Sequence, residues 1–263
     1  MKQRETEELL DLWIYRPLGF LPVLLLYRTP VTANHLTVFT MFIGAFCGYF
    51  FALGTTSAFI AGGVLLFAVN ALDCSDGQLA RAKQQSSQMG RMLDGLGDGV
   101  IDVTSHAGLA YAAYGATGDW RIWLLAALSL ASLGFHTTLL DAYRHRYTAT
   151  SGGASRDATQ EQMNPAGKAG LCFRAYRVYC VVQSAISGMV NAWPVDARAK
   201  RSIRLVSFLG STTHRTVIIL CALACKPMWV FWIFLVGGNA YLIVCLWCNR
   251  STRQQVLRTR GNA

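Results

Sequence analysis

Apolar residues gather into six stretches, at 33–53, 57–80, 97–116, 121–143, 203–225 and 227–248. A helix needs about 20 mostly apolar residues to cross a bilayer. The pattern therefore predicts an all-α, polytopic membrane protein with six transmembrane helices. Short polar breaks punctuate it at Gly54-Thr55-Thr56, Gly115-Ala116-Thr117-Gly118 and Lys226-Pro227. At the start, residues 5–16 place Leu9, Leu10, Leu12, Trp13 and Ile14 among acids and Arg16. That spacing predicts an amphipathic juxtamembrane helix within a segment, 1–28, that completes itself as a linker. The six-helix membrane domain is expected over 29–250, interrupted by a loop at about 149–200, with a basic tail at 251–263. The loop opens with a polar run, 149–170. Its stretch 173–193 is apolar on average but broken by Arg174, Arg177, Gln183, Ser184 and Asn191, and is expected to lie on the surface or interface.

Composition agrees with a bilayer. Apolar residues make up 53% of the chain and charged residues 14%, about half the charged share of an ordinary soluble domain. The formal charge is +10, but the basic residues flank apolar stretches instead of forming a block. Their expected partner is an anionic lipid surface and not nucleic acid. Of the 24 Lys and Arg, 21 fall on one side of the six-span layout, leaving only Arg121 and Lys226 opposite and Arg215 inside the fifth span. The positive-inside rule then puts both termini in the cytoplasm. The charged start, Met1 to Glu8, has no apolar core of a signal peptide, so no secretory leader is expected. The eight Cys lie mostly in apolar stretches and read as packing residues, since Cys245-x2-Cys248 lacks a second pair at zinc spacing.

The chemistry concentrates where the second span ends and the third begins. Four of the ten Asp sit there: Asp73, Asp76, Asp94 and Asp98. Asp73 and Asp76 are i and i+3, and Asp94 and Asp98 are i and i+4, so each pair projects from one helix face. An antiparallel hairpin would bring the four carboxylates together. Each charge at the centre of a span costs roughly 2.5–3.5 kcal/mol, and Arg81 alone cannot neutralise four. Clustered carboxylates suit Mg²⁺ or Mn²⁺, and two such ions would clamp phosphate oxygens. Gly77, Ala80 and Gly90 leave room for close approach by a helix or a ligand.

The run Asp73-x2-Asp76-Gly77-x2-Ala80-Arg81-x8-Gly90-x3-Asp94-x3-Asp98 resembles the signature of the CDP-alcohol phosphotransferases at all eight fixed positions. The resemblance implies that Asp73, Asp76 and Asp94 are ligands shared between two metal ions. Asp98 would be a further ligand or the general base. Asp73, Asp76, Gly77, Ala80 and Arg81 would face the nucleotide of a CDP-linked donor, expected to be a CDP-diacylglycerol-type lipid. The reaction implied is attack by an acceptor hydroxyl on the β-phosphoryl, with CMP leaving, in a homodimeric membrane enzyme. Family members often carry Pro-Asn-x-x-Thr before the first span; here Ala33 replaces the Pro, while Asn34 and Thr37 remain. Asn34 and Thr37 would meet the nucleotide, or Asn34 would simply cap the helix.

Other polar residues are less specific. Asp102 continues the i+4 series beyond Asp98, and is expected either to hydrogen-bond within the bundle or to tune a metal ligand. His106 reads as a packed polar residue. His214 and Arg215, midway along the fifth span, are expected to line a cavity for the polar acceptor alcohol, the alternative being that Arg215 pairs with Asp141 or Asp102 inside the bundle; Arg144 is a further acceptor candidate or a positive-inside residue. Nothing identifies the acceptor, although Gly99 stands where members with phosphorylated acceptors often place a basic residue. Two rival classes are a cation transporter and a non-catalytic scaffold. Transport would spread acids over several helices, and a degenerate scaffold would have lost an Asp; the clustering and the intact motif favour an enzyme.

Overall fold

The computed structural model describes residues 6–150 and 199–260, with isolated positions between them. Every regular element among these residues is helical. The expected polar run at 149–170 and surface helix at 173–193 fall almost wholly outside the described residues.

A π-helical turn, Asp11–Tyr15, leads directly into α1, Arg16–Leu26. The expected linker after residue 16 is therefore helix to Leu26, despite Pro22 inside it. Packing explains the extension. Gly19 lets α1 press on the next-but-one helix: a Cβ there would stand 2.7 Å from the Ala71 carbonyl oxygen. Helix α2, Ala33–Ala52, starts at Thr32, whose side chain accepts from the His35 N–H while the His35 ring accepts from the Thr32 N–H. This reciprocal cap leaves Asn34 inside the first turn, so Asn34 is not the cap. Helix α3, Thr56–Ala82, follows a turn in which Gly54 has φ +69° and Thr55 caps. Helix α4, Gln88–Thr117, is capped by Ser87 and ends at Gly118, again at φ +69°.

Helix α5 is Arg121–Thr150 and α6 is Ala199–Val206. A short 3₁₀ turn, Ser207–Leu209, and Gly210 separate α6 from α7, Ser211–Leu223. Helix α8, Pro227–Trp232, passes through a π-helical stretch into α9, Asn239–Arg260. The backbone of the expected C-terminal tail is thus helical as far as Arg260.

Four helical stretches are long and apolar enough to cross a membrane: Ala33–Ala52, Thr56–Ala82, Arg121–Thr148 and Pro227–Asn249. Lys200–Leu209 with Ser211–Leu223 makes a fifth if the broken pair is one span. The expectation was six. The difference is α4, which at 30 residues has the length but is diluted by Asp94, Asp98, Asp102, Thr104, Ser105 and His106. Outward-facing apolar side chains support a lipid solvent. On α2, Phe39, Phe42, Phe46 and Tyr49 follow one another at helical spacing, each more than half exposed.

The chain divides into two compact units. One holds 134–210 and 240–263 with the first seven residues, around a core that includes Leu139, Tyr143, Ile203 and Val206. The other holds 8–133 and 211–239, around Phe51, Leu66, Ile101, Leu109, Ile218 and Phe231. In this second unit α2 crosses α4 backbone to backbone. A Cβ on Gly108 would overlap the Gly48 carbonyl, and one on Gly48 would overlap the Thr104 carbonyl. The six described cysteines are free thiols, as packing residues would be.

Candidate active site

The motif occupies the last turns of α3 and the first turns of α4, in the second unit. The non-helical connection is short, 83–87. Gln84 takes φ +56°, and Ser87 accepts from the Gly90 N–H at 3.0 Å. Lys83 fastens this end of the hairpin: its Nζ donates to the carbonyls of Thr29, at 2.8 Å, and Val31, at 2.7 Å, in the α1–α2 connection. Gln78 donates to the Arg16 carbonyl at 3.1 Å. Because α4 starts at Gln88, nine residues before the apolar stretch, Asp94 and Asp98 stand on regular helix, and their i,i+4 relation is real.

Three of the four motif carboxylates converge. One oxygen each from Asp73, Asp76 and Asp94 lies within 4.8 Å of the others. The group grades from interior to surface: Asp76 is buried, Asp73 half-buried and Asp94 exposed. Asp76 has a dedicated partner, the Thr37 hydroxyl on α2, which donates to Oδ2 at 2.6 Å. That hydroxyl also lies 3.1 Å from the Ala33 carbonyl, but its single proton serves the closer, charged acceptor.

Asp98 has a different partner. Its Oδ1 accepts from Nη2 of Arg215 at 2.7 Å, and its backbone carbonyl lies 3.2 Å from the same nitrogen. Nε of Arg215 donates to Oδ1 of Asp102 at 2.9 Å, and Nη1 stands 4.0 Å from Oδ2 of Asp73. The expected role of Asp102 within the bundle is thereby defined. Arg215, expected to line an acceptor cavity, turns its guanidinium to the acidic face of α4 and the edge of the carboxylate cluster. His214 is buried, with its ring edge-on to Phe234 at 4.8 Å. Arg144 belongs to the other unit and pairs with Asp141 at 3.4 Å. His106 is packed, as expected: Nδ1 donates to the Asp102 carbonyl at 2.8 Å, and its ring lies against Phe231 and Phe234.

The small residues of the motif differ in use. Gly90 admits α2, since a Cβ there would come within 2.9 Å of Asn34 Oδ1. This puts Asn34 at the mouth of α4. Gly77 faces no neighbouring helix; a Cβ would meet only the flexible tip of Arg81, at 3.4 Å. Gly77, the half-buried Ala80 and the exposed Arg81 therefore line an open side of α3.

Three carboxylates so close repel. At an effective dielectric of about 20, each pair at this separation costs roughly 3–4 kcal/mol. Arg215 touches only the edge of the group at Asp73. The donor set is entirely hard oxygen, graded toward an open side, and fits Mg²⁺ or Mn²⁺. Glu8 was missed by sequence reasoning. Its carboxylate accepts from the Thr213 N–H and hydroxyl, both at 2.8 Å, and so caps the start of the helix that carries Arg215. No local pattern links residues 205 positions apart.

Comparison with known proteins gives the family. The profile of a family described as CDP-alcohol phosphatidyltransferase matches residues 30–196. A curated relative, the "Bifunctional IPC transferase and DIPP synthase" of Thermococcus kodakarensis, is 35% identical over 131 residues. The match covers 50% of this chain and 27% of that relative.

Proposed function

The chain belongs to the CDP-alcohol phosphatidyltransferase family, and on that premise we propose that it transfers a phosphoalcohol group from a CDP-alcohol to the hydroxyl of a polar acceptor. The donor is a CDP-diacylglycerol-type lipid. The new bond joins the acceptor oxygen to the β-phosphorus; the bond from that phosphorus to the bridging oxygen breaks, and CMP departs with it. The transferase name of the Thermococcus relative is consistent with this chemistry. The observation that carries the reading is the convergence of Asp73, Asp76 and Asp94 from both halves of the motif.

When bound, two divalent ions, Mg²⁺ or Mn²⁺, would neutralise the pyrophosphate and make its β-phosphorus more electrophilic. Asp73, Asp76 and Asp94 would hold them, with Thr37 keeping Asp76 in place. Arg81 and the open side at Gly77 and Ala80 receive the nucleotide, and Asn34, beside Gly90, is a further candidate to meet it. Asp98 takes the acceptor's proton. Its Oδ1 is occupied by Arg215, but no hydrogen bond among the described residues engages its Oδ2, which is the oxygen left for a hydroxyl. We further read the protein as a six-span homodimer, with α4 as the polar sixth span. Its termini and active site face the cytoplasm, where most basic residues lie.

The test is direct. Purified protein is given CDP-diacylglycerol, Mg²⁺ or Mn²⁺ and a panel of polar alcohols, including inositol phosphate, glycerol phosphate and serine, and CMP release is followed. Acceptor-dependent CMP release supports the reading. No release with any acceptor rejects it.

A further inference from the structure

Arg215 is 1% exposed, and its side chain makes directed contacts. The guanidinium is a rigid planar fork. Its Nε edge is taken by Asp102, and Nη2 is taken by the carboxylate and the carbonyl of Asp98. Asp98 and Asp102 are i and i+4 on α4, so one fork spans two successive turns of the same helix face. The register of α7 is itself held from outside. Glu8 caps its first turn, and the Tyr15 hydroxyl lies 3.0 Å from Thr216 Oγ1, one residue beyond Arg215.

Asp102 lies outside the family motif and is not one of the three converging carboxylates, and it is 7% exposed. A buried carboxylate is stable only when paired, and Arg215 is the partner the structure provides. We infer that Asp102 and Arg215 are a positioning pair for Asp98. Asp102 orients the guanidinium, and the guanidinium binds Oδ1 and the carbonyl of Asp98 together. That double hold fixes the carboxylate's rotamer and directs Oδ2 away from the fork. On this reading Nε and Nη2 serve Asp102 and Asp98, and not the acceptor alcohol.

The inference rests on the proposed transfer reaction, in which Asp98 acts on the acceptor hydroxyl. A misplacement of about 1 Å in such a group can cost roughly a hundredfold in rate. Three variants of the full chain test it: Asp102→Asn, Arg215→Lys, which keeps the charge but loses the fork, and their combination. The measurements are kcat, the KM for donor and for acceptor, Mn²⁺ affinity and Tm. Asp102→Asn should lower kcat about tenfold, and Arg215→Lys about a hundredfold, with both KM values and Mn²⁺ affinity within about twofold. The double variant should be no slower than Arg215→Lys, because Asp102 acts through Arg215. A raised acceptor KM at constant kcat would overturn the inference in favour of acceptor binding. Multiplying losses would deny that Asp102 works through Arg215, and a lowered Tm with unchanged kcat would make the pair structural only. Should wild-type protein release no CMP from any donor, it is the proposed function that fails. The pairing is then decided by NMR hydrogen exchange: a slowly exchanging Arg215 Nε–H that becomes fast in Asp102→Asn supports it, and equal exchange in both overturns it.

Discussion

The Thr37 hydroxyl, on α2, donates a 2.6 Å hydrogen bond to Oδ2 of Asp76 on α3. The contact is buried, and it joins the first helix of the matched region to the converging carboxylates of the motif. Hydrogen bonds to charged groups contribute about 1.5–3 kcal/mol. Thr37→Val keeps the shape and removes the donor, so divalent-ion affinity should fall about tenfold or more while Tm changes little. Calorimetric titration with Mn²⁺ measures this. Unchanged affinity would leave Thr37 with a packing role only.

Metal removal should abolish activity. Asp73, Asp76 and Asp94 are too close to bind a pyrophosphate without cations. CMP release should therefore stop in excess EDTA and return on adding Mg²⁺ or Mn²⁺. Full turnover in the presence of the chelator would rule out the metal reading.

The four motif carboxylates should separate into two phenotypes. Asp73→Asn and Asp94→Asn change the converging group, so metal and nucleotide binding should weaken together. Asp98→Asn lies outside that group, and turnover should fall by roughly a hundredfold or more with CDP-lipid affinity nearly retained. Binding and CMP-release assays on the three proteins distinguish these outcomes. Near wild-type turnover in Asp98→Asn would remove it as the base.

Two glycines of α4 should behave oppositely. A Cβ on Gly108 would overlap the Gly48 carbonyl, whereas one on Gly99 meets nothing within 4 Å. Gly108→Ala should destabilise by about 1–3 kcal/mol through forced separation of α2 and α4. Gly99→Ala should be neutral, or stabilising by up to about 1 kcal/mol from helix propensity. Thermal melting in detergent compares them, and equal Tm values would contradict the close crossing.

Much of this protein was legible in its amino-acid order, because the governing physics is local. Apolar length marks α2 and α3 within two residues and the start of α5, which runs seven residues past its expected end, and the turns at Gly54 and Gly118 fall where the breaks predicted them. The i,i+3 and i,i+4 spacings put each Asp pair on one helix face, since 3.6 residues per turn is a property of the backbone alone. Helix limits set by burial were less legible. α1 continues past residue 16 to Leu26 because it packs on α3 at Gly19, and α4 begins at Gln88 because helix formation does not require apolarity.

Partner choice was legible only in part: an Asp102–Arg215 pair was one of the alternatives, and the hold on Asp98 was not foreseen. Four aspartates of similar appearance divide in the folded protein. Three point oxygens at one another, and the fourth turns to an arginine 117 residues away. That division depends on how far α4 is rotated against α3 and α7. The rotation is set by contacts between elements: the glycine crossing of α2 and α4, the Glu8 cap on α7 and the Lys83 tie at the hairpin end. The local chain determined which residues could carry the chemistry, and three-dimensional packing decided which of them converge and which is held by a neighbour.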